Sequence, residues 1–445
     1  MKHPDELGQK KIPKLLFKFA VPSIFSLVLH AMYNVVDRAF IGQKVGALGL
    51  AGVTFSFPIM LIIFGFCLLF SNGGASLISL CLGEKKKEQA EHVLGNTMTL
   101  ITGSGILITI VGVVWGRQIL ALFQVPDAVF PYAWDYCEVI FFGILLFLYG
   151  FSMTFIIRAE GNPMYATAMI VVGTILNVIL DYTFIFGLDM GTRGAALATV
   201  LSEACVACMG LFYIISKKGV LHIRAVHLIL KWETVKRIAL LGMAAALMNV
   251  MASVQLSLAN ERLITIGGPQ AVAAMGIVFS INSIIMLFTF GMAAGMQPII
   301  GYNYGARQFD RVRQTIVYAC SITFVISIVF IAGILIGAEY IVRLFAGSNE
   351  ELVALSCRAM RIFVCAAPFT TMTILSSRYF QSIGKGITST VITLNRQLLF
   401  FVPMLYILSK SYGLNGIWFT GPVTDLCAVV LASILLIFSL RKLTN

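Results

Sequence analysis

Charged residues are scarce in this 445-residue chain: Asp, Glu, Lys and Arg make up 12% of it, and hydrophobic residues make up 59%. A soluble domain carries roughly twice that charged fraction. The composition therefore excludes an ordinary soluble protein and indicates a polytopic membrane protein.

Common catalytic patterns are also missing. The chain has no HExxH, GxSxG or GKS/T motif, and most of its histidines and aspartates are scattered one per loop. Its nine cysteines include one CxxC, formed by Cys205 and Cys208, which lies in an apolar stretch without a second pair or a nearby histidine. We therefore expect inert thiols, no metal centre, no cofactor and no enzymatic activity.

Long apolar runs are what the chain has instead. A helix needs ~20 mostly apolar residues to cross the hydrocarbon core, and twelve segments are long enough. They lie at about 15–38, 48–81, 92–115, 130–157, 163–187, 192–216, 234–260, 269–300, 314–337, 353–380, 387–409 and 414–440. The sequence predicts an all-α polytopic membrane protein with twelve transmembrane helices.

The net charge of +12 follows from the distribution of basic residues between the two sides of the membrane. Of the 32 Lys and Arg residues, 22 fall on the side of the N-terminus, nine fall on the opposite side, and Arg396 lies in the middle of a helix. The positive-inside rule then places both termini in the cytoplasm. The positive charge needs no nucleic-acid partner.

The sequence contains an internal repeat with an offset of 222 residues. Gly73 aligns with Gly295, Gly191 aligns with Gly413, and several further residues match at the same offset. Each half has six spans, so both halves enter the membrane from the same side and form parallel repeats related by an axis along the membrane normal. We expect an N-lobe (1–216), a cytoplasmic basic linker (217–233) and a C-lobe (234–445).

The first helix carries unusual polar residues. His30, Asn34 and Asp37 are spaced i, i+4, i+7, which places them on one helical face. Such residues are costly in a membrane unless they face protein or water. Pro22, earlier in this helix, removes a backbone hydrogen bond and makes a bend possible. An alternative is that Asp37 lies in the headgroup region beside Arg38.

Further polar residues lie on the fifth and sixth helices, and the twin positions of Asn177, Asp181 and Thr199 in the second half hold Leu399, Pro403 and Gly421. Asn177 and Asp181 are i, i+4 on the fifth helix, and Thr199 and Glu203 are i, i+4 on the sixth. At 1.5 Å per residue, Asp37 and Asp181 lie at a similar depth, ~27–28 Å above the inner interface. We therefore predict that Asp37 and Asp181 form one coupled titrating unit.

Two of these assignments have structural alternatives. Asn177 and Asp181 could serve only to hydrogen-bond neighbouring helices. Glu203 is a weaker candidate for a functional role, because Asp425 occupies its twin position in the second half and both could be structural. Arg396 and Asp425 lie ~15–16 Å deep on adjacent helices and are expected to form an ion pair.

The chain resembles the multidrug and toxic compound extrusion (MATE) family. The resemblance is strongest at Gln297–Ala306, which looks like the family motif at the end of the eighth helix, and at Gly191–Ala196, which is similar to its turn between helices five and six. Within the family the sequence looks closest to the bacterial MepA-like group, which implies a place in the bacterial cytoplasmic membrane. Its N-lobe residues follow the DinF-like branch, whose proton or cation site is matched by Asp37, Asn177, Asp181 and Thr199.

The resemblance implies an antiporter that expels organic cations in exchange for H⁺ or Na⁺, with either ion bound at those four residues. The NorM-like branch has further acids in helices seven and ten. Here the seventh helix offers only Glu261, at its outer end, and the tenth (Leu352–Phe380) has no acid beyond its start. We therefore expect ion coupling in the N-lobe and leave a C-lobe site in doubt.

The composition also favours cationic substrates. Mid-membrane charge in the N-half is acidic without a matching Arg or Lys, so its cavity should attract positive guests. The 33 Phe and 14 Tyr residues offer apolar and cation–π surface. We expect a monomer in the lipid bilayer that transports small organic cations.

Two other functions are considered. A flippase for a lipid-linked sugar precursor, which shares the wider architecture, would need several basic residues around a pyrophosphate, and only Arg396 is mid-helix. A membrane enzyme or a passive channel has less support still, because no catalytic constellation is present.

Overall fold

The computed structural model describes residues 3–123, 125–216, 219–347 and 349–444, and these are mostly helical, with no β-strand among them. Eleven helices follow one another in these ranges. They are α1 (His3–Gln9), α2 (Ile12–Lys44), α3 (Ala47–Gly83), α4 (Lys87–Leu122), α5 (Phe130–Ala159), α6 (Pro163–Gly187), α7 (Gly191–Ile215), α8 (Trp232–Gly305), α9 (Phe309–Ala346), α10 (Glu350–Ser382) and α11 (Gly386–Leu443).

The helices α2 to α11 are long and apolar enough to cross a membrane, ten in the described part of the chain. Two of them contain a residue with a positive φ that interrupts the helix: Gly268 (φ 69°) in α8 and Gly413 (φ 58°) in α11. Each glycine divides its helix into two crossing segments, 232–267 and 269–305 in α8, and 386–412 and 414–443 in α11. The described residues therefore form twelve crossings, which confirms the predicted all-α fold.

The internal repeat is visible in the backbone. Residues 222 positions apart share unusual conformations: Gly46 (φ 85°) corresponds to Gly268, and Gly191 (φ 56°) corresponds to Gly413. The same offset relates Lys85 (φ 59°) and Arg307 (φ 57°), residues without glycine's freedom that end matching helices. The two halves therefore have the same fold.

The halves contact each other through equivalent glycines. Gly73 of α3 packs so closely on Ile238 and Gly242 of α8 that a Cβ would overlap their backbone. Its counterpart Gly295 packs in the same way on Ala20 of α2, which is the counterpart of Gly242. Such reciprocal contacts are those of a two-fold interface.

This contact closes the side of the molecule that carries both chain ends, which we call the terminal side. All thirteen residues of α3 from Ser71 to Gly83 are buried, whereas the preceding part of α3 buries one face. The last part of α8, from Gly291 to Asn303, is almost continuously buried too. The two halves therefore meet along the terminal half of the membrane.

The segment between the halves is fixed to the first one. Asn96 of α4 donates from Nδ2 to the carbonyls of His227 and Ile229, at 3.1 and 3.0 Å, and accepts from the Lys231 amide at 2.8 Å. Glu160 accepts hydrogen bonds from the amides of Val220 and Leu221. The segment 219–231 is thus held against the terminal ends of α4 and α5.

Several helices differ from their predicted bounds. Most of them extend a few residues beyond the predicted apolar runs, because the helix continues into polar residues. The first helix, predicted over 15–38, runs to Lys44, so Asp37 lies inside it. The predicted linker 217–233 is shorter at its end, because α8 begins at Trp232. Lys217 and Lys218, its first residues, lie outside the described residues.

The tight glycine interface predicts a specific sensitivity to one methyl group. Gly242→Ala should destabilise the protein by about 1–3 kcal/mol, because the added Cβ meets the Leu69 carbonyl oxygen at a backbone that cannot yield. Gly103→Ala is the control, since nothing lies within 4 Å of its added Cβ. Thermal unfolding in detergent should show a lower melting temperature for Gly242→Ala alone. Equal melting temperatures would contradict the close contact.

Candidate functional site

A cavity of about 450 Å³ lies between the two halves. Helices α2, α3, α5, α6 and α7 of the first half and α8, α10 and α11 of the second half contribute to its wall. This size is in the range of small-molecule sites, ~300–1,000 Å³. Much of the wall is apolar and aromatic, including Tyr33, Phe64, Phe151, Phe155 and Phe290.

The charges on this wall differ from expectation. Glu203 is the one carboxylate that lines the cavity among the described residues, while three arginines line it as well: Arg158, Arg378 and Arg396. The prediction of an acidic cavity without matching arginines was therefore wrong. Arg158 and Arg378 lie near helix ends in the sequence, but their side chains face the cavity because α5 and α10 both form its terminal end.

Arg396 is neutralised, and its partner is the predicted one. Its Nε donates to Asp425 Oδ1 at 2.5 Å, and Thr370 Oγ1 donates to the other carboxylate oxygen. Asp425 is 5% exposed. The carboxylate thus has a cationic and a neutral donor, as a buried charge requires.

Glu203 is the counterpart of Asp425 at the offset of 222, but it has no such partner. The position equivalent to Arg396 is Thr174, which also lines the cavity. Within the described chain Glu203 forms no hydrogen bond or ion pair, and it packs against Gly150 of α5. The second half therefore has an ion pair at the position where the first half has an unpaired carboxylate.

The predicted titrating residues form a second buried region, in the half of the membrane away from the chain ends. Asp181 is fully buried, and Asn177 and Asp37 are 2% and 5% exposed. In the described chain no hydrogen-bond partner exists for Asp37 Oδ1, for both carboxylate oxygens of Asp181 or for both amide atoms of Asn177. Asp37 is also within electrostatic reach of Asp181.

Five unsatisfied polar atoms in one buried region call for a ligand or a proton, because an unpaired buried polar group costs ~1–3 kcal/mol and a charged one costs more. Carboxylate and amide oxygens can coordinate a hard cation such as Na⁺, and a carboxylate can be neutralised by H⁺. The chemistry of these side chains is compatible with either ion.

Local structure explains how this region stays secluded. Directly after Asp181 the α6 helix widens into a π-helical turn, Tyr182–Gly187. The rings of Tyr182 and Phe186 pack with Phe40 of α2, with centroids 6.3 and 5.5 Å from the Phe40 ring. Helix α6 is also joined to α2 lower down, where Thr167 donates to the Pro22 carbonyl at 3.2 Å.

The remaining predicted residues separate into three environments. Asn177 is the predicted ion-site residue that also lines the cavity, where His30 and Tyr33 lie as well. Thr199 is 6% exposed and donates to its own helix at Ala195, 3.1 Å away. Asn34 is exposed and donates to the His30 carbonyl at 2.7 Å, so the structure does not bring it to the acids.

Two further expectations concern the possible bend at Pro22 and the acids of the second half. Helix α2 runs through Pro22 without interruption. Glu261 is exposed, and Asp425, the buried acid on the C-half helices α10 and α11, is paired. The unsatisfied acids therefore lie in the first half.

Sequence comparison matches both halves of the chain. Residues 22–183 and 237–407 match the model of a protein family described as MatE. The multidrug export protein MepA of Staphylococcus haemolyticus (strain JCSC1435) is 25% identical over 435 residues, which cover 98% of this chain and 95% of that protein.

Two solved structures are similar over nearly the whole chain. One is the MATE multidrug transporter DinF-BH, solved in complex with a ligand, which is 34% identical with a TM-score of 0.88 and covers 96% of this chain and 98% of that one. The other is an outward-facing conformation of a multidrug resistance MATE family transporter of the MOP superfamily. It is 24% identical with a TM-score of 0.94, over 100% and 99% of the two chains.

The Arg396–Asp425 contact predicts strong energetic coupling. Arg396→Met or Asp425→Asn alone should destabilise the protein by about 3–5 kcal/mol, because each leaves an unpaired buried group. The double variant should be more stable than the sum of the two losses implies, with an interaction energy of about 0.5–3 kcal/mol. Thermal unfolding of the four proteins in detergent measures this. Strictly additive losses would show that the pair is not a stabilising contact.

Proposed function

The chain belongs to the MATE family, and on that basis we propose that it is a secondary active antiporter that exports organic cations in exchange for H⁺ or Na⁺. It is a multi-pass membrane protein, which we place in the bacterial cytoplasmic membrane as a monomer with both termini in the cytoplasm. The halves 1–216 and 234–445 act as the two moving lobes. The curated relative MepA and the solved DinF-BH are named as multidrug transporters, which supports the substrate class.

The observation that carries the proposal is the separation of two acidic sites. Glu203 is an unpaired carboxylate on the cavity wall, next to aromatic side chains that can hold an organic cation. Asp37 and Asp181 lie outside that wall in a buried region with unsatisfied oxygens. The cavity thus serves the drug, the buried acids serve the coupling ion, and Asn177 belongs to both.

Coupling follows if the two sites favour different conformations. H⁺ or Na⁺ from outside neutralises the Asp37–Asp181 pair, which allows α2 and α6 to pack more tightly and narrows the first-half cavity. The cationic drug then leaves, and a drug that binds from inside favours release of the ion. Such exchange requires that each ligand has different affinities for the two states.

The alternative of a lipid-linked precursor flippase is not favoured, because the family and the named relatives are multidrug transporters. Of the three cavity arginines, Arg396 is neutralised by Asp425.

Asp37→Asn and Asp181→Asn test the coupling site. In proteoliposomes, efflux of a fluorescent organic cation driven by an imposed pH or Na⁺ gradient should fall by about tenfold or more, since the pair can no longer exchange the ion. Binding of the same cation in detergent should persist, because neither residue lines the cavity. Unchanged gradient-driven efflux in Asp37→Asn would show that α2 is only a scaffold.

Matched variants test whether the residues that couple ion entry to drug export lie in the first half. Asn177→Ala and Thr199→Ala should impair efflux at normal expression, whereas Glu261→Ala, at an exposed acid of the second half, should do much less. If Glu261→Ala abolishes efflux as Asp181→Asn does, the N-lobe assignment is wrong.

A further inference from the structure

The segment that joins the two halves exposes apolar side chains although it does not cross the membrane. It contains one short 3₁₀ turn, Ala225–Leu228, and leads into α8 at Trp232. Trp232 is 78% exposed and Ile229 is 63% exposed. Within seven residues, five large apolar side chains are exposed: Val226, Leu228, Ile229, Leu230 and Trp232. A contiguous apolar surface of this kind marks an interaction with a membrane or with another protein.

The contacts of this segment place it beside the membrane-spanning part of α4. The backbone of His227 lies so close to Gly95 that a Cβ there would overlap it. One turn further along α4, Thr99 donates to the Leu228 carbonyl at 2.8 Å. Gly95 and Thr99 both belong to the apolar run of α4 that begins at about residue 92. The segment therefore lies level with the edge of the hydrocarbon core and faces lipid, which identifies the apolar partner as the membrane.

The backbone of the segment is adapted to that depth. Non-helical backbone is tolerated near lipid only where its polar groups are satisfied by protein. Asn96, which is fully buried, binds the backbone of His227, Ile229 and Lys231 through both polar atoms of its side-chain amide. Water would satisfy the same three backbone groups if the segment were solvated, so these bonds support a position at the membrane edge.

Cations stand at both ends of the apolar run. Arg224 precedes it and Lys231 lies within its last turn, and both side chains are exposed. Among the described residues neither of them forms an ion pair with a carboxylate, and Lys231 Nζ lies 3.2 Å from His92 Nε2. Residues 223–237 contain four Lys or Arg residues and one acid, Glu233. The surface is therefore positive as well as apolar.

The acid on the adjoining turn of α4 does not cancel this charge. Glu91 accepts a hydrogen bond from the His222 amide at 3.1 Å, and its carboxylate lies 3.7 Å from Lys87 Nζ and 4.0 Å from His227 Nε2. Its side chain is engaged by these groups. A negatively charged partner from outside the chain is thus the complement that Arg224 and Lys231 lack.

We propose that residues 224–232 form an interfacial anchor that binds the phosphate-bearing headgroup of an anionic phospholipid. The exposed apolar side chains enter the edge of the acyl region beside α4, and Trp232 lies at the headgroup level that tryptophan favours. Arg224 and Lys231 keep their apolar stems at the same edge and extend their charges to the headgroup. In such segments apolar burial and attraction to anionic lipid add together. The inference goes beyond the proposed function and does not depend on it.

The test uses the fluorescence of Trp232 as a local reporter. The chain has four tryptophans, and the signal of Trp232 is the difference between each protein and the same protein with Trp232→Phe. The full-length protein is reconstituted in phosphatidylcholine vesicles that contain an increasing fraction of one brominated lipid, either phosphatidylglycerol or phosphatidylcholine, with bromines near the headgroup end of the acyl chains. Bromine quenches a tryptophan that it contacts, so the two titrations give the relative affinity of the two headgroups.

Brominated phosphatidylglycerol should quench Trp232 at the lower mole fraction, by about fivefold for each of the two cations. Arg224→Gln and Lys231→Gln should each reduce this preference by about fivefold, whereas Lys231→Arg should retain it. Lys410→Gln is the matched control and should leave the preference unchanged, because Lys410 is an exposed cation of α11 on the opposite side of the membrane.

Equal quenching by the two lipids, or a preference that survives in the double variant Arg224→Gln/Lys231→Gln, would overturn the headgroup site. Quenching by neither lipid would show that Trp232 lies in water, which overturns the interfacial position. Inorganic phosphate, added at constant ionic strength, distinguishes a lipid from a soluble anion. The preference for phosphatidylglycerol should persist, and its loss would assign the two cations to soluble phosphate and overturn the lipid anchor. Each of these failures would leave the export of cations untouched.

Discussion

The cost of burying a carboxylate without a partner is the constraint on which this structure depends. In a membrane interior no water compensates for an unpaired polar group, so each buried acid must be paired, protonated or bound to a cation. The second half meets this requirement within the chain, where Arg396 and Thr370 satisfy Asp425. The first half leaves Asp37, Asp181 and Glu203 to be satisfied from outside, which is what a transporter of cations requires.

The two halves share one backbone fold but differ in how their buried acids are satisfied. The repeat at 222 residues preserves the backbone, as the paired positive-φ positions and the reciprocal glycine contacts show. The charges follow the repeat only in part: Glu203 corresponds to Asp425, but Thr174 stands opposite Arg396, and Ala259 stands opposite Asp37. Under the proposed function, the symmetric contact surface would let the two halves move against each other, and the asymmetric charges would link that motion to an ion.

Much of this could be predicted from the sequence, because hydrophobic length and repeated glycines are local signals. Twelve crossings, parallel repeats and the neighbouring positions of Arg396 and Asp425 follow from them. The cavity arginines could not be predicted in the same way, since residues near helix ends look like topology signals until tertiary packing shows which face they occupy. A usable signal did exist: neither Arg158 nor Arg378 has an acid three or four residues away in the sequence. Glu203 looked like a weaker candidate because its counterpart Asp425 is also an acid. The position equivalent to Arg396 holds Thr174, however, so the sequence already indicates that Glu203 lacks an arginine partner.

The central claim is that the buried acids and the cavity are distinct sites whose ligands exclude one another. The most direct test is the affinity of purified protein for a fluorescent organic cation, measured across a pH series and with Na⁺ replacing K⁺, in the wild type and in Asp181→Asn. Linkage requires that the ion weaken the drug to the same extent that the drug weakens the ion. We predict that affinity falls as the pH is lowered or as Na⁺ is added, and that Asp181→Asn makes this dependence clearly weaker, leaving only the part that protonation of Glu203 in the cavity causes. A wild-type affinity that changes with neither ion, or a dependence that is undiminished in Asp181→Asn, would contradict the account.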